Sequence, residues 1–203
     1  MWTRQVRRVA SYLLIAGAAI CLFLGGREFL GSRFGQMESA REFEVENQVP
    51  APVTSEPKTN SPEVRSPLSG ETIGKLSIPR LNAEIYVVEG EGEDELRKGP
   101  GHLTKTAKPG ENGNCVIAGH RDTHFRVLKD IRKGDDIAIE TRDGLFLYRV
   151  KSTKIVPPTN LSPLKPTKEA SLHLITCYPF YYVGNAPKRF IVQAELAGVV
   201  SKT

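Results

Sequence analysis

The sequence predicts an all-β domain, a closed barrel of seven or eight strands with short helices, preceded by one transmembrane helix. Three observations lead there. Between Glu71 and Leu196 the chain is a succession of short β-branched or alternating runs separated by Pro, Gly, Asn and Asp clusters. Helical patterning in that stretch is weak, and many short strands with little helix bury their edges best by closing on themselves. Near the N-terminus lies an uncharged apolar run, VASYLLIAGAAICLFLGG, from Val9 to Gly26.

That run is 18 residues long. At 1.5 Å per residue it is just long enough for a bilayer core of about 30 Å, with Trp2 and Phe29 suited to the two interfaces. Arg4, Arg7 and Arg8 precede it. The positive bias therefore assigns residues 1–8 to the cytoplasm, 9–29 to a membrane anchor and everything after to the outside. A cleaved signal peptide is the rival reading; Arg27 and Glu28 make a poor cleavage exit, and either reading exports the domain. Residues 30–70, most clearly from Gln36, are rich in Glu, Pro, Ser and Thr and poor in aliphatic clusters. Such a composition cannot offset the entropy of ordering, so the segment is expected to be a flexible spacer, with a helical continuation over Met37 to Glu46 as an option and a tether favoured over a lid.

Residues 71–203 form the expected barrel. Its strands are TIGKLSIP, AEIYVV, NCVIAG, DDIAIET, LFLYRVKSTKIV, SLHLITC and RFIVQAEL, and Arg142 to Gly144 makes a tight hairpin. Short helical signals occur at Glu93 to Lys98 and just after His124. Two connections stand out. VPPTNLSPLKPTKEA, Val156 to Ala170, holds four prolines, which stiffen a loop without regular structure and suit the wall of a peptide groove. YPFYYVGNAPK, Tyr178 to Lys188, offers an apolar floor.

The net charge of +5 is spread out: five Arg against one Glu in residues 1–35, an acidic spacer, and twenty basic against sixteen acidic residues beyond. No basic run interleaved with aromatics occurs, so nucleic-acid binding is not expected. No metal and no cofactor is implied by the sequence. Of three cysteines, Cys21 lies in the apolar run and Cys115 reads as a small buried core residue, which leaves Cys177 as the candidate nucleophile. A disulfide between Cys115 and Cys177 stays open at this level. Thiol chemistry needs a thiolate, a proton carrier and a cationic oxyanion partner. An unperturbed thiol and imidazole are together in their charged forms in only about 1% of molecules at pH 7. Period-two geometry puts His173, Ile175 and Cys177 on one strand face and Leu172, Leu174 and Thr176 on the other. His173, about 13 Å from Cys177 along a straight strand, is out of direct reach. His120 can approach it from another strand; His102 and His124 are also eligible by spacing. Thr176 and Tyr178, beside the thiol, and Pro163 and Leu164, in the proline-rich connection, are the candidate substrate-binding residues.

KGPGHL at Lys98 to Leu103, NGNCVIAGHRDTHF at Asn112 to Phe125 and HLITCYPFYYVGNAPKRFIV at His173 to Val192 together resemble the sortases, membrane-anchored cysteine transpeptidases of bacteria, most nearly class D. The resemblance runs from about Ile73 to Leu196. It implies a sortase-like barrel with His120 as catalytic His, Cys177 as nucleophile and Arg189 as essential Arg. One departure is His173, which stands where the family tends to have the first Thr of Thr-Leu-X-Thr-Cys. The resemblance further implies cleavage of a Leu-Pro-X-Thr-Gly sorting signal between Thr and Gly through a thioacyl enzyme. Its partners would be exported proteins with C-terminal signals and an amine acceptor, a cell-wall precursor or another amine. Two other readings remain: a cysteine endopeptidase, in which water resolves the thioester, and a tethered peptide-binding barrel without turnover.

Overall fold

Apolar and polar side chains alternate along Leu145–Val156, and this alternation fixes which way the strand faces: Phe146, Tyr148 and Val150 are buried while Leu147, Arg149 and Lys151 are exposed. The computed structural model describes residues 4–48 and 66–200, and in the second of these segments the same logic builds a closed barrel. In chain order the elements are α1 (Arg4–Gln48), β1 (Thr72–Ile78), β2 (Ala83–Glu89), α2 (Glu93–Lys98), β3 (Gly101–His102), β4 (Asn114–Gly119), β5 (Asp136–Glu140), β6 (Leu145–Val156), β7 (Ser171–Tyr178) and β8 (Lys188–Val200). Three short 3-10 helices occupy 79–81, 124–130 and 162–164. The strand order around the barrel is β1-β2-β3-β4-β7-β8-β6-β5. The expected closed barrel is therefore present. The strand missing from the sequence reading is β3, whose two residues are too few to show a period.

Most neighbours are antiparallel, but β2 pairs with β3 and β4 with β7 in parallel. The latter pairing explains why NCVIAG and SLHLITC read as nearly continuous apolar runs: both strands are covered on both faces. Inside the barrel sit Leu76, Ile78, Ile117, Ile139, Tyr148, Leu172, Leu174 and Val192, joined by Phe125 and Leu128 from the 124–130 helix. Each buried Leu, Ile or Phe contributes roughly 1.5–3 kcal/mol of transfer free energy. A second, polar tie lies between Glu89 and His102, both buried, with Oε2 and Nδ1 2.8 Å apart. Burial pushes the Glu89 carboxyl up, but the hydrogen bond and charge of His102 outweigh it, so the net shift is down. His102 thus fastens β2 to β3.

The outer face of β4 and β7 is covered by the proline-rich connection, and Asn114 holds it there. Asn114 Nδ2 donates to the carbonyls of Pro163 and, at 3.2 Å, Lys165. Its Oδ1 accepts from His173 Nδ1. His173, in the position where the family tends to have Thr, is accommodated as a buried neutral imidazole bonded to this amide. Burial, with a smaller contribution from Lys154, pushes its pKa down to about 4.

The segment expected to be a flexible spacer differs over its first part. Residues 30–48 continue α1, and the helix docks on the barrel through Ser32, Gly35, Gln36, Ser39, Ala40 and Phe43, an i, i+3/i+4 stripe. Its small residues allow close approach. A Cβ on Gly35 would lie 2.6 Å from Lys98 Cα. Gln36 acts as a surrogate peptide for the edge of β2: Tyr86 N donates to its Oε1 at 2.7 Å, and its Nε2 donates to Tyr86 O at 3.0 Å and Lys98 O at 2.9 Å. Phe43 stacks edge-on against Tyr86, and Thr72 Oγ1 donates to Glu42 at 3.0 Å. The stripe escaped the sequence reading because small residues carry little hydropathy signal. The remaining spacer expectation, over 49–65, lies outside the described residues, as do 1–3 and 201–203. The apolar run from Val9 lies in the first half of α1; among the described residues no helix is long and apolar enough to cross a membrane.

Two outcomes are expected. Gly35→Val should weaken docking of α1 by about 1–3 kcal/mol, read as faster amide exchange over residues 32–43 with exchange in β4 and β7 unchanged. The second concerns pH. The unfolded chain takes up a proton at His173 near the ordinary 6.5, whereas the folded ring resists until about 4. Stability should accordingly be intact above pH 6.5 and decline by roughly 3 kcal/mol as pH falls to 4. Urea titrations over that range should show a shallower decline in His173→Gln than in the parent.

Candidate active site

Register brings the three candidate residues into one row. Cys177 and Arg189 are direct partners across the antiparallel β7–β8 ladder. On the other side of β7, Gly119 at the end of β4 partners Thr176 in the parallel ladder, so His120, one residue on, emerges level with Cys177. Adjacent strands lie about 5 Å apart. The order across the sheet is therefore His120, Cys177, Arg189, with the thiol in the middle. Leu172 and Leu174 belong to the interior, so the alternate residues His173, Ile175 and Cys177 face outward, as expected from period two. Cys177 and Arg189 are half-buried and His120 is exposed, which leaves the row open to a substrate.

His120 is held from below. Phe125 N donates to His120 O at 2.9 Å, and the Phe125 ring, fully buried, lies under Gly119. A Cβ there would come within 2.7 Å of that ring, so the absence of a side chain at Gly119 lets the Phe125 ring pack directly against the end of β4. Thr176 adds a strap, its hydroxyl donating to Gly119 O at 2.7 Å. Arg189 is steadied by donating Nη1 to Ala186 O at 3.2 Å and Lys188 O at 3.1 Å.

Two arginines tie together the loops above the row. Arg121 Nη2 donates to Tyr182 O at 2.8 Å and Gly184 O at 3.1 Å, and its guanidinium lies 5.7 Å from the Tyr182 ring centre. Arg126 lies 5.4 Å from that of Tyr181. The loop after β4 and the β7–β8 loop are therefore joined by direct contacts. Sequence reasoning missed both arginines; their adjacency to His120 was the available signal, and the partners were visible only as an aromatic cluster.

The candidate substrate-binding residues separate. Thr176, named as a candidate for substrate binding, is buried on the side of β7 opposite Cys177, where period two places it, and its hydroxyl joins β7 to β4. The Tyr178 ring packs with Phe180 and Phe190, centroids 6.0 and 6.4 Å away, in an aromatic cluster against the core. Pro163 is buried and accepts from Asn114. Leu164 alone of the four presents an exposed apolar side chain.

Cys115 is in the core, where burial, aided by the charges of Glu111 and Glu89, holds its thiol far above the ordinary range. All three cysteines are free, so the disulfide left open by the sequence is not formed. His173 is occupied by Asn114 and His102 by Glu89. His124 lies on the helix beyond His120, its Nε2 3.4 Å from Arg97 O; burial, with the charge of nearby His120 acting the same way, lowers its pKa.

The family comparison agrees with the geometry. A sequence profile described as "Sortase domain" matches residues 76–197. Sortase D of Bacillus subtilis (strain 168) is 36% identical over 197 residues, covering 94% of this chain and 98% of that protein. Among solved structures, the Clostridium perfringens sortase D5 transpeptidase superposes with a TM-score of 0.67 at 26% identity, covering 81% of this chain and 99% of that one. The catalytic domain of Bacillus anthracis SrtD gives 0.60 at 31% identity, covering 71% and 100%. With a barrel of this strand order, a thiol between a His and an Arg, and relatives along nearly its whole length, the chain belongs to the sortase family of cysteine transpeptidases, most like its class D members.

Proposed function

We propose that this transpeptidase cleaves Leu-Pro-X-Thr-Gly-type signals between Thr and Gly and joins the Thr carbonyl to an amine. The observation that carries this reading is the row His120, Cys177, Arg189 on an open sheet face, flanked by the stiff connection bearing Leu164. An extended peptide laid along the sheet meets the thiol at its centre. Cys177 Sγ, as thiolate, attacks the Thr carbonyl, and Arg189 steadies the oxyanion. His120 as imidazolium protonates the departing Gly amine, and the C–N bond breaks to leave the thioacyl enzyme. The neutral imidazole then accepts a proton from the incoming amine as its nitrogen displaces Cys177. The acceptor is an amine of a cell-wall precursor or a comparable extracytoplasmic amine.

Residues 9–29 are proposed as a membrane anchor that keeps the barrel outside the cytoplasm, with residues 1–8 inside. Support comes from the side chains of α1: Leu14 is 75% exposed and Leu22 77%, an apolar surface suited to lipid rather than water.

The test mixes the full chain in detergent with a quenched Leu-Pro-X-Thr-Gly peptide library and an amine, with products read by mass. Amide products are expected from the parent and none from Cys177→Ala; intact peptides with every amine would reject the signal class. Arg189→Lys keeps the charge but loses the guanidinium fork, and should lower kcat/KM by about 10²–10³-fold. The pH profile of kcat/KM should be bell-shaped. A flat profile from pH 5 to 10 would count against pairing of Cys177 with His120.

A further inference from the structure

The docked stretch of α1 meets the barrel in a definite direction. Its first residues lie beside the loop that follows His120: Ser32, Arg33 and Met37 share the walls of one cleft with His124 and Arg126. Gly35 packs against Lys98, next to the Arg97 carbonyl that lies 3.4 Å from His124 Nε2. Its last residues, Glu42 and Phe43, instead meet Thr72 and Tyr86. Followed toward its N-terminus, α1 therefore leaves the barrel on the side of the catalytic loop. The helix is continuous from Arg4 to Gln48. At 1.5 Å per residue Arg33 stands only about 6 Å beyond Phe29, where the proposed anchor ends. The headgroup layer on each side of a bilayer is about 5–8 Å deep, so that end of the docked stretch lies at headgroup level.

From the same cleft a chain of contacts leads to the tip of the β7–β8 loop. Arg126, on the cleft wall, lies 5.4 Å from the Tyr181 ring centre, and Arg121 holds the carbonyls of Tyr182 and Gly184. The tip so held carries three consecutive exposed side chains, Tyr181 at 70%, Tyr182 at 47% and Val183 at 98%. A contiguous apolar tip, presented by specific contacts instead of folded onto the core, marks an interaction surface. Tyrosine, with an apolar ring and a polar hydroxyl, suits the boundary between hydrocarbon and water. Exposed Arg126 and Lys188 flank the tip with cations that suit lipid phosphates.

We propose that the tip Tyr181–Val183 docks into the interface of the bilayer that holds α1, its partner being a phospholipid surface. The proposal rests on the reading of residues 9–29 as a membrane anchor. Continuity decides for lipid: the helix that enters the bilayer also carries the barrel, and Arg126 joins its first docked residues to the tip. The barrel is held at two points, by α1 and by the tip, and the length of α1 between anchor and docked stretch sets the contact. The row His120, Cys177, Arg189 then opens beside the bilayer surface and does not swing on a tether.

The experiment uses the full chain in phosphatidylcholine vesicles, with Trp2, its one tryptophan, changed to Phe and a reporter introduced by Val183→Trp. Dibrominated phosphatidylcholine quenches tryptophan on contact, and substituting it for the ordinary lipid should lower the emission about twofold or more. The same reporter introduced by Lys168→Trp, ahead of β7 and about 20 Å or more from Cys177 along that strand, should keep its emission. Both positions are exposed, so neither substitution disturbs the core. A helical insertion of seven residues after Phe29 lengthens α1 by about 10 Å and nearly preserves its facing. It should abolish quenching at position 183 while the chain still floats with the vesicles. Quenching at 183 no stronger than at 168, or undiminished by the insertion, overturns the lipid contact. Flotation reads the anchor separately: a chain left behind in solution rejects residues 9–29 as an anchor, and the lipid contact falls with it.

Discussion

The parallel pairing of β4 with β7 is the constraint on which the site depends. Strands so paired run in the same direction, so their C-terminal ends finish at the same level, and the residues that close them, His120 and Cys177, emerge side by side. The antiparallel β8 then enters the same level from the opposite direction and delivers Arg189. An antiparallel β4 would have carried His120 to the other end of the barrel. Catalytic placement here is a property of sheet topology, with side-chain chemistry added at one rung.

Fixing the ends of strands is not enough to fix the loops, and different interactions do that on each flank. On one side Asn114 satisfies two carbonyls of the proline-rich connection, while His173 satisfies Asn114. A buried amide with its donors and acceptor engaged is rigid because every alternative leaves a polar atom unpaired. On the other side Arg121 and Arg126 use backbone acceptors and tyrosine faces to join two loops that share no strand pairing. His173 thereby has a structural account: its size and ring nitrogen bridge to Asn114, and its distance from Cys177 keeps it out of the chemistry.

The helix adds a further layer. Gly35 and Gln36 let α1 lie directly on α2 and on the unpaired edge of β2, next to the loop beyond His120. A segment whose composition suggests only a tether therefore also builds a wall. Small residues, one amide and the single buried ring of Phe43 achieve this, because close backbone approach and hydrogen bonding stand in for a large apolar contact area.

The sequence by itself determined the class of fold and the identity of the chemistry. Period-two runs such as LFLYRVKSTKIV write their own facing, since alternation is local and each strand must bury one side. The Cys and Arg stand close to strand ends legible in the same way, and the outward face of Cys177 followed from its spacing to Leu172 and Leu174. What only the tertiary structure decided was every relation between distant segments. That β4 lies parallel to β7, that the Thr176 hydroxyl reaches Gly119, that Asn114 meets Pro163, and that Arg121 reaches Tyr182 are consequences of strand order, for which no local periodicity exists. The docking of α1 was hidden for a related reason: apart from Phe43, its contact stripe is made of Gly, Ser, Ala and Gln, whose value lies in the surface they meet and not in their own hydropathy.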